Sequence, residues 1–546
     1  MKIADIEIPL QHERGWKYRL FEIMPGLISW TILALPIALS FVSPTLAAYF
    51  ILLFMLSWLV KAFGYAYRTS QGYRRLSRLM RADWLGMLDD LNHPKSALIK
   101  FGEIPNSRPK WHRRNLIKFA ALNESLRPKD INQIVIIATY NEALNVLEPT
   151  IEALLTSRYD PQKINLLVAY EERGGQAQEQ LVQFLIKKYD SKFKLAKAIK
   201  HPADLPAEVI GKGPNLTFAG RWLISYLKQH KLDPTKHIVT TLDADHRVHP
   251  NYFASLTYNY LIDEDRKYKS YQPIPMFFNN IWDAPAPMRV LATGNSFWNL
   301  IVSTRPHLMR NFAAHSQGMA TLIDTDLWTV RSIVEDGHQF WRTYFRYDGR
   351  HDVVPIYVPV FQDAVLAETY RKTLKAQFIQ LRRWAYGASD IAYVIKTGFL
   401  TANKVAKRDL FFKLTRLVEA HVSWATTALI LAGAAWLPIL INPDAQDSII
   451  AHQLPRLASG INTFIAGGIL VTVFLSMKML PPRPPRYRAH RNVLMVLQWV
   501  LLPVSSIVYG SFAALYSQTR LMLGRYLEKF DVTDKVRKSE LNDLTD

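Results

Sequence analysis

The chain contains no cysteine. Disulfides and thiolate metal sites are therefore excluded, while the redox compartment stays open, because a cysteine-free chain tolerates either. Acid is also in short supply: 46 Asp and Glu stand against 67 Lys and Arg, a formal net charge of +21. A basic balance suits nucleic acid, anionic lipid or phosphorylated substrates. A basic tract interleaved with stacking aromatics is missing too, so nucleic acid is not an expected partner. The arginines instead flank apolar runs, as Arg74, Arg75, Arg78 and Arg81 do, and again Arg483, Arg486, Arg488 and Arg491. That placement reads as positive-inside anchoring to an anionic cytoplasmic leaflet.

With 546 residues there is room for two or three domains. Leu27 to Val42 and Thr45 to Tyr67 are apolar runs split by Ser43-Pro44, each near the ~20 residues that cross a hydrocarbon core. Lys17 and Arg19 precede the pair and Arg68, Arg74 and Arg75 follow it, so both ends are expected in the cytoplasm. Polar residues run to Glu22 without a small-residue cleavage site after a short apolar stretch, which argues against a removable signal. Three more runs follow the middle of the chain: His421 to Ile441, Ile461 to Leu480 and Val493 to Tyr516. The first two read as a second hairpin. The third is basic at both ends, contains Pro503, and is too short to cross twice. It is either a re-entrant, broken helix or a simple span with an external tail.

Between the hydrophobic groups lies a stretch with the pattern of an α/β domain. Ile134 to Ala138, Ile164 to Ala169 and Ile238 to Leu242 read as buried strands, with helical periodicity through Leu147, Ile151, Leu154 and Leu155 and again from Gln176 to Lys188. Alternation of this kind predicts a mostly parallel sheet covered on both faces, with ligands beyond the carboxyl ends of the strands. Tyr140, Glu142, Glu171 and Asp243 stand at such ends. The expected division is 1–80, amino-terminal hairpin; 81–129, connecting segment; 130–364, α/β domain; 365–415, amphipathic interface helices; 416–520, carboxy-terminal membrane region; and 521–546, cytosolic tail.

Three motifs carry chemistry. Asp243 and Asp245 sit two apart at a strand end, where their carboxylates can hold Mg²⁺ or Mn²⁺ together with a diphosphate. Glu335-Asp336-Gly337-His338 offers a carboxylate base to deprotonate a hydroxyl, or else a helix cap. Gln380, Arg383 and Trp384 share one helical face in Leu374 to Tyr393. There Arg383 can bind phosphate, Gln380 hydroxyls, and Trp384 a sugar ring, although a membrane-surface helix with an interfacial Trp fits the same pattern. Lys212 and Asn215, in Gly211-Lys212-Gly213-Pro214-Asn215, read as a glycine-rich loop with a cation for diphosphate, or as a turn. His246, His249 and His338 are candidate ligands or hydrogen-bonded structural residues.

In this order these residues resemble the processive family-2 glycosyltransferases, of which cellulose synthase catalytic subunits, hyaluronan synthases and chitin synthases are members. The resemblance spans roughly Asn132 to Trp384 and the flanking helices. It implies a GT-A fold facing a transmembrane region, in the bacterial plasma membrane with the catalytic domain cytosolic. It implies that Asp245 coordinates the metal, Asp243 helps hold the donor, and Asp336 is the base in a Val-Glu-Asp version of Thr-Glu-Asp. It further implies that Gln380, Arg383 and Trp384 form Gln-x-x-Arg-Trp, and that Tyr140 and Glu142 lie against nucleobase and ribose. Phe530, Val532, Thr533 and Lys535, in Phe530-Asp531-Val532-Thr533-Asp534-Lys535, resemble the gating loop of bacterial cellulose synthase, which favours the re-entrant reading. Two departures stand out. Glu171-Glu172-Arg173 replaces an Asp pair that binds uracil, and the membrane helices are fewer than in cellulose synthases.

The expected activity is metal-dependent, inverting transfer of a sugar from a nucleotide donor to a growing polysaccharide. The alternatives are single transfer to a polyprenyl-phosphate or other lipid, and a catalytically silent scaffold or export partner. Every expected carboxylate is in place, which disfavours the silent scaffold.

Overall fold

A computed structural model of the chain describes residues 1–103, 108–122, 126–527 and 529. Its α/β unit is built on one eight-stranded sheet in the order β3-β2-β1-β4-β7-β6-β8-β5. The strands are β1 (Asn132–Thr139), β2 (Ile164–Glu171), β3 (Leu195–His201), β4 (His237–Asp243), β5 (Arg247–Val248), β6 (Lys269–Met276), β7 (Ser316–Gly318) and β8 (Asp352–Phe361). The pairs β1/β2, β1/β4, β2/β3 and β6/β8 are parallel, and the short strands β5 and β7 supply the antiparallel pairs. The expected mostly parallel α/β sheet, joined to a helical region, is what the chain forms.

β1 explains why both faces are covered. Successive side chains of a strand point to opposite faces. Val135 and Ile137 enter one core with Leu147, Ile151 and Leu154. Ile134 and Ile136 enter the other, with Leu216, Leu223 and Leu227 from the helix Lys212–Gln229. Register then lines up the ends. Ala138 pairs with Asp243 across β1/β4, and Thr139 pairs with Tyr170 across β1/β2. Three carboxyl-terminal strand ends therefore open on one edge. The helices Trp84–Asp90 and Lys110–Ala121, in the expected connecting segment, give Trp84, Met87, Leu116 and Phe119 to the first core. These two helices pack on the α/β unit.

Among the described residues, five helices are long and apolar enough to cross a membrane: Trp16–Val42, Pro44–Met80, Lys407–Ile441, Ile449–Met479 and His490–Met522. Each coincides with one of the runs read from the sequence, the fourth ending one residue before Leu480. The last is irregular, passing through a 3₁₀ stretch at Gln498–Leu501 and a π stretch at Ser506–Ser511, with Pro503 between them. Both of its ends touch the α/β unit or the helices beside it. At the start, Arg491 donates to the Trp282 carbonyl at 3.1 Å and Gln498 accepts from Arg289 at 2.5 Å. At the end, Ser517 donates to the Arg382 carbonyl at 2.5 Å and Arg19 to the Met522 carbonyl at 2.9 Å.

The chain's beginning straps the unit from the other side. Ile6 and Ile8 are buried against Phe340, Trp341 and Tyr393. Glu7 pairs with the fully buried Arg342 and accepts from Thr329 at 2.7 Å.

Candidate active site

Tyr140, Glu142, Glu171, Lys212, Asn215, Asp243, Asp245, Glu335, Asp336, Gln380, Arg383 and Trp384 line one pocket at the carboxyl edge of the sheet. Six separate sequence segments meet there: the ends of β1, β2 and β4, the start of Lys212–Gln229, the start of the helix Glu335–Arg346, and the helix Tyr370–Ala385. Phe530, Val532, Thr533 and Lys535 lie outside the described residues. Just ahead of them, Lys529 forms a parallel bridge with Ile210, two residues before Lys212.

Asp243, Asp245 and His246 bring ligand atoms within 4.8 Å of one another. Asp243 opens to the pocket, whereas Asp245 is buried and accepts from the Asp363 backbone N–H at 2.8 Å. His246 Nδ1 accepts from the Asp243 N–H at 3.0 Å, and its Nε2 lies 3.4 Å from the Asp243 carboxylate. A neutral imidazole has one lone-pair nitrogen. With Nδ1 accepting, Nε2 carries the proton and donates toward Asp243, so His246 orients the carboxylate. Two carboxylates remain as hard oxygen ligands, a donor set that fits Mg²⁺ or Mn²⁺.

Lys212 sits at the centre of the charge pattern, 2.5 Å from Asp243 and 3.8 Å from Glu335. Burial alone would lower its pKa, but the Asp243 and Glu335 carboxylates outweigh that and raise it. Gly211 to Asn215 is not a free loop. Lys212 begins a helix, which aims the ammonium from a fixed backbone. Gly213 is required for that approach, because a Cβ there would stand 2.4 Å from the Thr329 carbonyl and 3.0 Å from Glu335 Cβ. Asn215 is buried and donates to the Ala169 carbonyl at 2.9 Å, which ties β2 to the pocket wall.

Glu335 and Asp336 occupy the first turn of their helix, where an amino-terminal dipole tolerates carboxylates. Burial, then the Asp336 charge, pushes Glu335 up to about 8. Burial also raises Asp336, against the opposing pull of Lys212, and the Gly337 N–H donates to it at 2.7 Å. Two adjacent carboxylates thus share a site with different proton affinities, the arrangement that separates a base from a neutral neighbour. Two residues on, His338 is fixed by Asp390 at 2.7 Å. His249 lies outside the pocket, and burial holds it down to about 4.

At the β1 and β2 end of the pocket, Glu142 accepts from the Tyr140 N–H at 2.8 Å and from Thr139 Oγ1 at 2.7 Å, and so fixes the turn after β1. Glu171 pairs with Arg173, whose guanidinium lies 5.4 Å from the Tyr140 ring centre. On the far side, Trp384 packs 6.0 Å from Phe277, and Gln380 accepts from Gln377 at 3.1 Å.

Sequence reasoning missed Phe277 and Asp363, which line the pocket. Asp363 lies just beyond the end of β8 and lines the same pocket as Asp245, but no short spacing links the two in the sequence.

No protein-family model matches the chain, and no curated protein matches it. Among solved structures, a mannosyltransferase from Pyrobaculum calidifontis in complex with GDP-Man and Mn²⁺ aligns at 12% identity and a TM-score of 0.38, over 77% of this chain and 98% of that one. TarS 1–349 from S. aureus aligns at 13% identity and a TM-score of 0.34, over 74% and 95%, and its UDP-GlcNAc complex at 12% and 0.34. Scores of this size do not establish a common fold.

Proposed function

We propose that the chain is an inverting, metal-dependent membrane glycosyltransferase of the GT-A, family-2 kind, acting on a nucleotide-diphosphate-sugar. The observation that carries this reading is the convergence of Asp243, Asp245, Asp336 and Gln380 to Trp384, distant in sequence, on one pocket. Asp243 and Asp245 would hold Mg²⁺ or Mn²⁺, which when bound neutralises charge on the leaving diphosphate. Asp336 takes the proton of the acceptor hydroxyl as that oxygen attacks the anomeric carbon. Glu335 stays protonated beside it near neutral pH and keeps a second negative charge away from the diphosphate. Lys212 and Arg383 face the phosphates, and Trp384 with Phe277 forms the wall against which the sugars lie. Most of the rate enhancement is positioning and electrostatics.

The acceptor is a growing polysaccharide. Gln380, Arg383 and Trp384 and the aromatic packing around Phe277 favour it. The second reading, single transfer to a polyprenyl-phosphate or other lipid, is favoured by the small number of membrane helices. The catalytic unit faces the cytosol, and His490–Met522 is a broken, re-entrant element with both ends on that side.

The test is product analysis of the purified chain in lipid with radiolabelled nucleotide sugars and Mg²⁺ or Mn²⁺. A ladder of products supports the polymer, and one lipid-soluble product supports the second reading. Asp245→Ala should abolish metal-dependent nucleotide binding. Wild-type turnover of no donor, together with unchanged nucleotide binding in Asp245→Ala, would sink both readings.

A further inference from the structure

The helices Pro44–Met80 and Lys407–Ile441 meet at a level that both sequences mark independently. The apolar run of the first ends at Tyr67 before Arg68, and that of the second begins at His421 after Arg416. The structure joins them there. Lys61 pairs with Glu419 at 2.6 Å, and Arg416 lies 3.9 Å from the same carboxylate. The helix Ala286–Ser303 closes the third side. Leu300 approaches so near Gly72 that a Cβ there would stand 2.8 Å from the Leu300 carbonyl oxygen, and Trp298 packs edge-on against Tyr65 at 6.2 Å. Arg305 follows that helix and enters the same corner. Burial, then the nearby Arg68 charge, lowers its pKa, and Arg416 adds to the effect.

Two cations therefore hold Glu419, and two more, Arg68 and Arg305, stand on the flanking stretches of Pro44–Met80 and just beyond Ala286–Ser303, where Tyr65 meets Trp298 and Gly72 meets Leu300. Glu419 is already engaged by Lys61 and Arg416. Arg68 and Arg305 have no carboxylate partner among the described residues, and Arg68 Nε is buried without an acceptor. None of these residues lines the donor pocket. Like charges beside a hydrocarbon boundary repel one another and are poorly solvated, unless an anion completes the set. Guanidinium groups brought to one corner from different elements can each offer N–H donors to a phosphate.

We infer that Arg68, Arg305 and Arg416 form a binding site for the phosphate of an anionic phospholipid headgroup, in the leaflet facing the α/β unit. The inference rests on the membrane reading of the chain. The acyl chains would lie along Pro44–Met80 and Lys407–Ile441, with Tyr65 and Trp298 at headgroup depth, where amphipathic aromatics collect. Bound there, one lipid would bridge both membrane hairpins and the catalytic unit.

The full-length chain in detergent is titrated with phosphatidylglycerol, phosphatidylcholine, a polyprenyl phosphate and inorganic phosphate, with binding read by native mass spectrometry. Phosphatidylglycerol should bind in preference to phosphatidylcholine, and each of Arg68→Gln, Arg305→Gln and Arg416→Gln should weaken it about fivefold, the scale of one basic residue at an anionic surface. Glu419→Gln should strengthen it, because it frees Lys61 and Arg416. Metal-dependent nucleotide binding should be unchanged in all four variants, which shows that the fold survives. Equal phosphatidylglycerol binding in wild type and the triple Arg→Gln variant would overturn the inference. So would a polyprenyl phosphate that alone loses binding in that variant, or inorganic phosphate that competes as well as the lipid. A wild-type chain recovered in the aqueous phase without detergent would refute the membrane reading itself, whereas loss of nucleotide binding with intact lipid preference would count against the donor site alone.

Discussion

At the scale of single residues, the proposed reaction depends on setting apart two neighbouring carboxylates. In that proposal Asp336 must be ionised to accept a proton, while burial and the Asp336 charge push Glu335 up to about 8. Activity should therefore rise with pH as Asp336 ionises and fall once Glu335 does, because a second negative charge then faces the diphosphate. In Glu335→Gln the alkaline fall should vanish while the acid limb stays. An unchanged alkaline limb in a profile of kcat/KM against pH would refute the assignment. Stability follows the same groups. The unfolded carboxyls release their protons at roughly 4, whereas the folded Glu335 and Asp336 hold theirs higher. The folded state binds more protons across that window, so these two groups make stability fall as pH rises from about 4 towards about 8. Melting temperatures of wild type and Glu335→Gln over that range should show the variant losing less.

At the scale of elements, the helix Glu335–Arg346 is the part that must not move. Its amino end carries both carboxylates, and its body is held by Glu7 through Arg342 and by Asp390 through His338. Glu7→Ala leaves a fully buried guanidinium without its carboxylate, a change that costs about 3 kcal/mol. The pair replaced as Glu7→Leu with Arg342→Met should recover much of that loss, because a packed apolar pair needs no partner. Chemical denaturation of the two variants in one detergent would separate these outcomes. The sequence announced β1, β2 and β4 through runs such as Ile134 to Ala138 and Ile238 to Leu242. It hid β6 and β8. Pro273 and Pro275 in one, and Pro355 and Pro359 in the other, argue against strands, since proline cannot donate to a ladder. The structure accommodates them with a register shift between Pro273 and Ile274. β3 was hidden for another reason: it is an edge strand, and the exposed Lys197 and Lys200 interrupt its apolar run. The site was legible where motif residues are close in sequence, as in Asp243 and Asp245, and illegible where the fold alone brings partners together, as with Asp245 and Asp363.

At the scale of the whole molecule, the last membrane segment decides the topology. Its two ends reach Trp282 and Arg382, both on the side of the catalytic unit. The cysteine-free background makes this easy to probe, since any introduced thiol is the sole one. Arg488→Cys and Leu523→Cys place single thiols at exposed positions on either side of the segment. In inside-out vesicles an impermeant maleimide should label both, and in right-side-out vesicles neither. Labelling of the two from opposite faces would make the segment a simple span.

The helix Pro44–Met80 runs without interruption for 37 residues, about 55 Å at 1.5 Å per residue, against a hydrocarbon core of about 30 Å. Its carboxyl-terminal end is built into the α/β unit: Leu76 packs with Ile274 and Met276, and Arg75 reaches Tyr357 at 3.3 Å. One rod thus serves as both anchor and axle. Any change in its length is also a change of angle, because each added residue turns everything beyond it by about 100°. Evolution can lengthen this protein's stalk only in steps that nearly restore the phase, such as seven residues. Every other step would swing the pocket away from the helices that pack around it.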